Sequence, residues 1–135
     1  ADQRPLASIE MKHILLTGFE PFGGESINPS WQIASALHGH LVGEAQVVAV
    51  QLPTVFQEAL KALDSALAAH RPQMVVALGQ AGGRTEISVE RVAINVDDAR
   101  IPDNARQQPL PQPAEQGLSQ QWLRLTLLQV NRAGF

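Results

Sequence analysis

Three short apolar runs recur along the chain: KHILLT at 12–17, QVVAVQ at 46–51 and QMVVALG at 73–79. They read as near-continuous rather than alternating, which predicts strands covered on both faces. Between them lie two stretches with helical signals. Asn28-Pro29 offers an N-cap followed by proline at the first helical position, so a helix is expected from about Pro29 to His38. Helix restarts at Pro53-Thr54, where Phe56, Leu60, Leu63 and Leu67 recur at three- and four-residue steps and form one apolar stripe. Arg71-Pro72 ends it. The order β-α-β-α-β predicts an α/β fold: a mainly parallel, twisted sheet with helices on both faces and right-handed crossovers.

The pattern then changes. In GQAGGRTEISVERVAIN (79–95), Ile87 and Val89 occupy odd positions, whereas Val92, Ile94 and Val96 occupy even ones. The phase flips at Glu90-Arg91. A strand of period two cannot bury both sets on one face without an irregularity, so the pair marks a bulge or a crossing between layers. A solvated ion pair on an edge strand fits the pattern equally well. Residues 107–117, QQPLPQPAEQG, read as loop. The last stretch, SQQWLRLTLLQVNRAGF, suits a helix capped by Ser119 and stopped at Gly134, but Leu123, Leu125 and Leu127 also alternate. Both readings stay open.

Composition narrows the function classes. The chain has 135 residues, 44% hydrophobic and 17% charged, which suits one globular domain. A net charge of -3 supplies no basic surface for nucleic acid and no polybasic arm for a membrane. No segment approaches the roughly 18 consecutive apolar residues of a membrane span. There is no cysteine, hence no disulfide, no thiolate metal site and no thiol nucleophile. The first ten residues, ADQRPLASIE, lack the apolar core of a secretory signal and read as a disordered extension. The expected organisation is an extension at 1–10, a domain part at 11–108 and a divergent Pro/Gln/Leu-rich tail at 109–135, with a cytoplasmic location as the default.

Candidate chemistry is sparse. GFEPFGG (18–24) follows a strand as phosphate loops do, but it fits neither common nucleotide-binding pattern. Phe19 and Phe22 are unusual in such a loop. They either tuck beneath it as core or form a flat apolar slot for a small ring. His13, His38, His40 and His70 have no metal-ligand spacing, and His38, His40 and His70 sit near helix ends. No metal or cofactor is expected. GQAGGR (79–84) is either a tight turn or a set of backbone N–H groups around an anion or carbonyl. Ser26 and Ser30 lie near the glycine-rich loop but outside any serine-nucleophile motif.

LLTGFEPFGG with INPSW, QLPTVF, VALGQAGGR, ERVAIN and ARIPDN together resemble the N-terminal part of the pyroglutamyl aminopeptidases, in order and with matching spacing, from Met11 to about residue 108. The resemblance implies an α/β sandwich and a cysteine peptidase that releases N-terminal pyroglutamate from peptides through a Glu-Cys-His triad. Glu90 matches the triad glutamate. Phe19, Phe22 and Ile101 would line the lactam pocket, Gln80 would hydrogen-bond the lactam, and Arg100 would lie near the scissile carbonyl. Arg91 would be structural. The implied partners are peptides with N-terminal pyroglutamate and copies of the chain in a homo-oligomer.

The matching cysteine and histidine are not in this sequence: it has no cysteine, and none of its four histidines follows Glu90. The chain therefore reads as a truncated or frameshifted member, inactive by itself, with an incomplete C-terminal side. A non-catalytic module that still binds pyroglutamate is the alternative. Incomplete layers would expose apolar surface and an unpaired strand edge. The tail fits neither element cleanly and is expected to dock poorly. Size-exclusion chromatography of the purified chain is expected to give self-associated species. A monodisperse monomer with one sharp thermal transition would overturn that.

Overall fold

A computed structural model describes residues 11–83, 85–90, 96–113 and 125–130. The readings placed on residues 1–10, Arg91 and Ser119 lie outside them. The elements run β1 (Lys12–Phe19), α1 (Pro29–Leu37), β2 (Leu41–Val42), β3 (Ala45–Leu52), α2 (Glu58–His70), β4 (Met74–Gln80), β5 (Ser88–Glu90), β6 (Val96–Asp97), β7 (Gln112–Pro113) and β8 (Leu125–Val130). Among the described residues, six strands form one sheet in the order β2-β3-β1-β4-β8-β5, and β6 pairs with β7 alone. The pairs β3-β1, β1-β4 and β4-β8 are parallel. The two edge strands, β2 and β5, pair antiparallel.

The apolar runs explain the layers. In β1, Leu15 packs with Leu52, Leu63, Ala66, Leu67 and Val75 beneath α2. Its neighbour Leu16 packs with Ala34, Val47 and Leu78 beneath α1. Successive residues of one strand thus serve opposite faces, and the expected α/β sheet with a helix on each face is what forms. Arg71 caps α2 in a left-handed conformation, and its N–H donates to the Leu67 carbonyl at 3.0 Å, one residue before Pro72.

The N-terminus of α1 sits directly on β1. Asn28 caps the helix: its side-chain oxygen accepts from the Ser30 N–H at 3.0 Å and from the Ser30 hydroxyl at 2.7 Å. The Ser30 Oγ in turn accepts the Phe19 N–H at 2.9 Å. Gly18 makes this approach possible. A Cβ there would lie 2.6 Å from the Ser30 carbonyl oxygen and 2.7 Å from the Trp31 Cα, both backbone atoms.

Three segments differ from the sequence expectation. Helix α2 begins at Glu58 and not at Thr54: Gln57 takes a positive φ of 69°, which breaks the helical backbone, and ahead of it Thr54 bonds Glu20 and the Phe56 N–H bonds Asp103. Residues 112–113, read as loop, form the short strand β7. The tail, expected to dock poorly, contributes β8 between β4 and β5. Parallel pairing with β4 uses backbone groups alone, so the absence of clean side-chain alternation does not prevent it.

Gly18→Ala is expected to destabilise the chain by about 3 kcal/mol, at the upper end of ordinary overpacking, because the clash is with helix backbone and no rotamer relieves it. Urea unfolding should show a lower midpoint. A loss under about 1 kcal/mol would mean that α1 shifts freely on β1.

Candidate active site

In chain order the parallel strands are β1, β3, β4 and β8, and β1 lies between β3 and β4. The helix that follows β1 covers one face and the helix that follows β3 covers the other. Strand order therefore reverses at β1, and in open α/β sheets the crevice at the carboxyl ends of such strands is the usual binding place. Two of the glycine-rich loops seen in the sequence leave the sheet there. GFEPFGG follows β1 and GQAGG follows β4. Thr17 pairs with Ala77. Continuing that register sets Phe19 level with Gly79, one residue before Gln80.

An apolar pocket of about 230 Å³ opens beside this crevice, lined by Phe19, Thr54, Val55, Phe56, Ala59 and Asp103. Phe19 is half-buried and also packs on the core beneath α2. Phe22 is half-buried within its loop. Ile101 is half-exposed, and its Cδ1 lies 4.0 Å from where a Cβ on Gly23 would stand, so it approaches the GFEPFGG loop. Gln80 is half-buried at the end of β4, and Arg100 is exposed next to Ile101. None of Phe22, Gln80, Arg100 and Ile101 lines the pocket itself.

Glu90 lies farther off. It pairs with Leu127 of β8, and Leu127 pairs with Ala77. This places Glu90 level with Thr17, two strands beyond β4. With strands about 4.8 Å apart, its Cα is roughly 16 Å from that of Phe19. Along β5 the apolar residues point outward, with Ile87 65% and Val89 62% exposed, while Ser88 and Glu90 are the less exposed pair. The polar set thus takes the sheltered face of an edge strand. The flip itself, at Arg91 and the residues after it, lies outside the described residues.

Polar groups tie the pocket loops together. The Asp103 carboxylate accepts N–H bonds from Phe56 at 2.8 Å, Ala105 at 2.9 Å and Gln107 at 2.7 Å. Desolvation pulls the Asp103 carboxyl upward, but the three N–H donors from Gln107, Phe56 and Ala105 outweigh it and hold the group below its ordinary range. Glu20 and Asn104 bind Thr54 from either side. Thr54, Val55, Ala59, Asp103, Glu20 and Asn104 received no role from the sequence. Thr54 and Val55 lie in QLPTVF, Asp103 and Asn104 in ARIPDN and Glu20 in GFEPFGG, stretches the sequence already singled out, and Asp-Asn after a proline is a turn-forming combination; Ala59 lies in none of them.

Other candidates resolve as structural. The Ser30 hydroxyl is fully buried and engaged by Phe19 and Asn28. The His38 Nδ1 accepts the Ala49 N–H at 3.0 Å on the outer side of β3. The rings of His13 and His70 meet edge to face, 6.3 Å apart. Among the described residues no cluster of acidic or histidine side chains could hold a metal ion, and no helix is long and apolar enough to cross a membrane.

The family profile described as pyroglutamyl peptidase matches residues 12–130. The chain belongs to the pyroglutamyl peptidase family. It is 62% identical over 103 residues to a pyrrolidone-carboxylate peptidase of Escherichia fergusonii, covering 76% of this chain and 48% of that protein. A Bacillus cereus pyrrolidone-carboxylate peptidase is 51% identical over 118 residues, covering 87% and 55%. The crystal structure of pyroglutamyl peptidase I from Bacillus amyloliquefaciens superposes with a TM-score of 0.75 at 49% identity, over 81% of this chain and 52% of that one. The chain spans about half the length of the relatives it matches. The pyroglutamyl peptidase match also continues past residue 108, through the segment read as a divergent tail, to the end of β8.

The lowered Asp103 ionisation makes an acid-side prediction for this family member. A carboxyl whose folded pKa lies below its unfolded value of about 3.9 stabilises the loop above that pH, and the contribution is lost as pH falls through the folded pKa. The amide resonances of Phe56, Ala105 and Gln107 should titrate together with one midpoint below about 3.9. Separate midpoints, or a common one above about 4, would contradict the arrangement.

Proposed function

We propose that this chain forms the lactam-binding half of a pyroglutamyl peptidase and carries the triad carboxylate, Glu90. The observation that supports this most is the apolar pocket lined by Phe19, beside the crevice at the carboxyl ends of β1 and β4. A pyroglutamyl ring carries no charged amine, so carboxylate recognition of an N-terminus would be useless to it. Flat apolar walls with a few amide partners suit it better. In this reading Phe19 joins the pocket to the crevice, where Phe22 and Ile101 supply further walls and Gln80 supplies the amide hydrogen bonds.

The chemistry assigned to the remaining residues follows from charge. Glu90, on the sheltered face of β5, accepts the N–H of a catalytic imidazole and stabilises the imidazolium. Arg100 stabilises the oxyanion as the scissile carbonyl is attacked. The attacking thiolate and its base are not among these residues, since the sequence has no cysteine and no histidine beyond His70. By itself, then, the polypeptide binds pyroglutamyl groups and does not cleave them. A cytoplasmic place and homo-oligomeric assembly belong to the same reading.

Saturation-transfer NMR with L-pyroglutamyl amide should detect binding to the purified chain, while a fluorogenic pyroglutamyl amide should show no turnover. Phe22→Ala should weaken binding by roughly three- to tenfold, since burying a Phe is worth about 1.5–3 kcal/mol and only part of this ring would face the ligand. Phe22 tests the slot better than Phe19, whose loss also opens the core. Absence of binding, or turnover that tracks with the protein and resists alkylating reagents, would defeat the reading.

A further inference from the structure

The pocket joins three segments: Phe19 at the end of β1 with the loop that follows it, residues 54–56 before α2 with Ala59 of that helix, and Asp103 in the loop of residues 101–104. Loop backbone groups need partners, and pocket walls built on loops drift unless something fixes them. A closed ring of polar contacts does this. The Glu20 Oε1 accepts from the Thr54 N–H at 3.0 Å and from the Asn104 Nδ2 at 2.9 Å. The Asn104 N–H donates to the Thr54 carbonyl at 2.9 Å, which closes the ring. Around it, the Glu20 carbonyl accepts from the Thr54 hydroxyl at 2.9 Å and from the Asn28 Nδ2 at 3.2 Å, and the Asn104 Nδ2 reaches the Pro21 carbonyl at 2.9 Å.

We propose that Glu20 and Asn104 are positioning residues for the lactam pocket, acting through Thr54 and the two backbone segments they clamp to set the spacing of Phe19, Thr54 and Phe56. The proposal rests on the lactam-binding reading. Neither residue lines the pocket. Each holds a segment that does: Glu20 follows Phe19 directly, and Asn104 follows Asp103, whose carboxylate holds the Phe56 N–H. An anionic acceptor makes the stronger hydrogen bond. The Thr54 N–H and the Asn104 Nδ2 nevertheless converge on one oxygen of Glu20, so geometry is what the ring requires.

The test uses the whole chain with Glu20→Ala, Asn104→Ala, the double variant and Glu20→Gln. Binding of L-pyroglutamyl amide is read by saturation-transfer NMR. Hydrogen exchange is read by mass spectrometry on peptides that contain Thr54. Each alanine variant is expected to weaken binding about tenfold and to speed exchange at Thr54, as loss of a charge-assisted bond would. The double variant should be little worse than either single one, because one break opens the ring. Glu20→Gln keeps an acceptor at Oε1 and should recover most of the loss. Binding and exchange unchanged in both alanine variants would overturn the proposal, as would a Glu20→Gln variant as weak as Glu20→Ala. Should Glu20→Ala unfold, Asn104→Ala carries the test, since that residue is exposed. If the unaltered chain fails to bind, the lactam reading falls; unaltered exchange at Thr54 in Asn104→Ala would then overturn the ring on its own.

Discussion

A missing β-carbon holds the architecture together. Residue 18 stands where β1 leaves the sheet, and the first turn of α1 rests against its Cα, with the Ser30 carbonyl oxygen 2.6 Å from where a side chain would begin. Only glycine allows that approach. Much of the functional end of the molecule depends on it. Ser30 can bond the Phe19 N–H only because the helix is this close, and Asn28 can cap the helix and still reach the Glu20 carbonyl. The loop between Gly18 and Asn28 is thereby anchored at both ends, and Phe19 is aimed back toward α2 and not into solvent.

The pocket shows how a polar frame supports an apolar surface. Phe19 and Ala59 stand on β1 and α2, whereas Thr54, Val55, Phe56 and Asp103 come from loops on a half-open surface. Buried and half-buried backbone groups in these loops find partners in Glu20, Asp103 and Asn104. Asp103 gathers three N–H groups that would otherwise have to face water or go unpaired. The same bonds hold residues 54–56 ahead of α2, which begins only after Gln57, whose φ of 69° is not helical.

Glu90 illustrates a trade-off of another kind. On β5 the apolar Ile87 and Val89 face outward and the carboxylate takes the sheltered face. Sheltering a charged group is costly unless its oxygens are bonded, and exposing two β-branched residues forgoes burial. A strand arranged for stability alone would be turned over.

Local pattern carried a good deal of this protein. The apolar runs at 12–17, 46–51 and 73–79 became β1, β3 and β4, and Asn28-Pro29 started α1 where an N-cap followed by proline should. These signals are local: a strand covered on both faces must be apolar throughout, and a cap acts within one turn. Motif order was likewise sufficient for the family and for the half of its relatives that the chain spans. Other features were decided only by the tertiary structure. The docking of residues 54–56 ahead of α2 depends on Asp103, 47 residues away from Phe56. The strand character of 125–130 depends on the open edge of β4. The ring of Glu20, Thr54 and Asn104 joins positions up to 84 residues apart. None of these can be read along the chain, because each exists only once separate segments are brought within hydrogen-bonding distance.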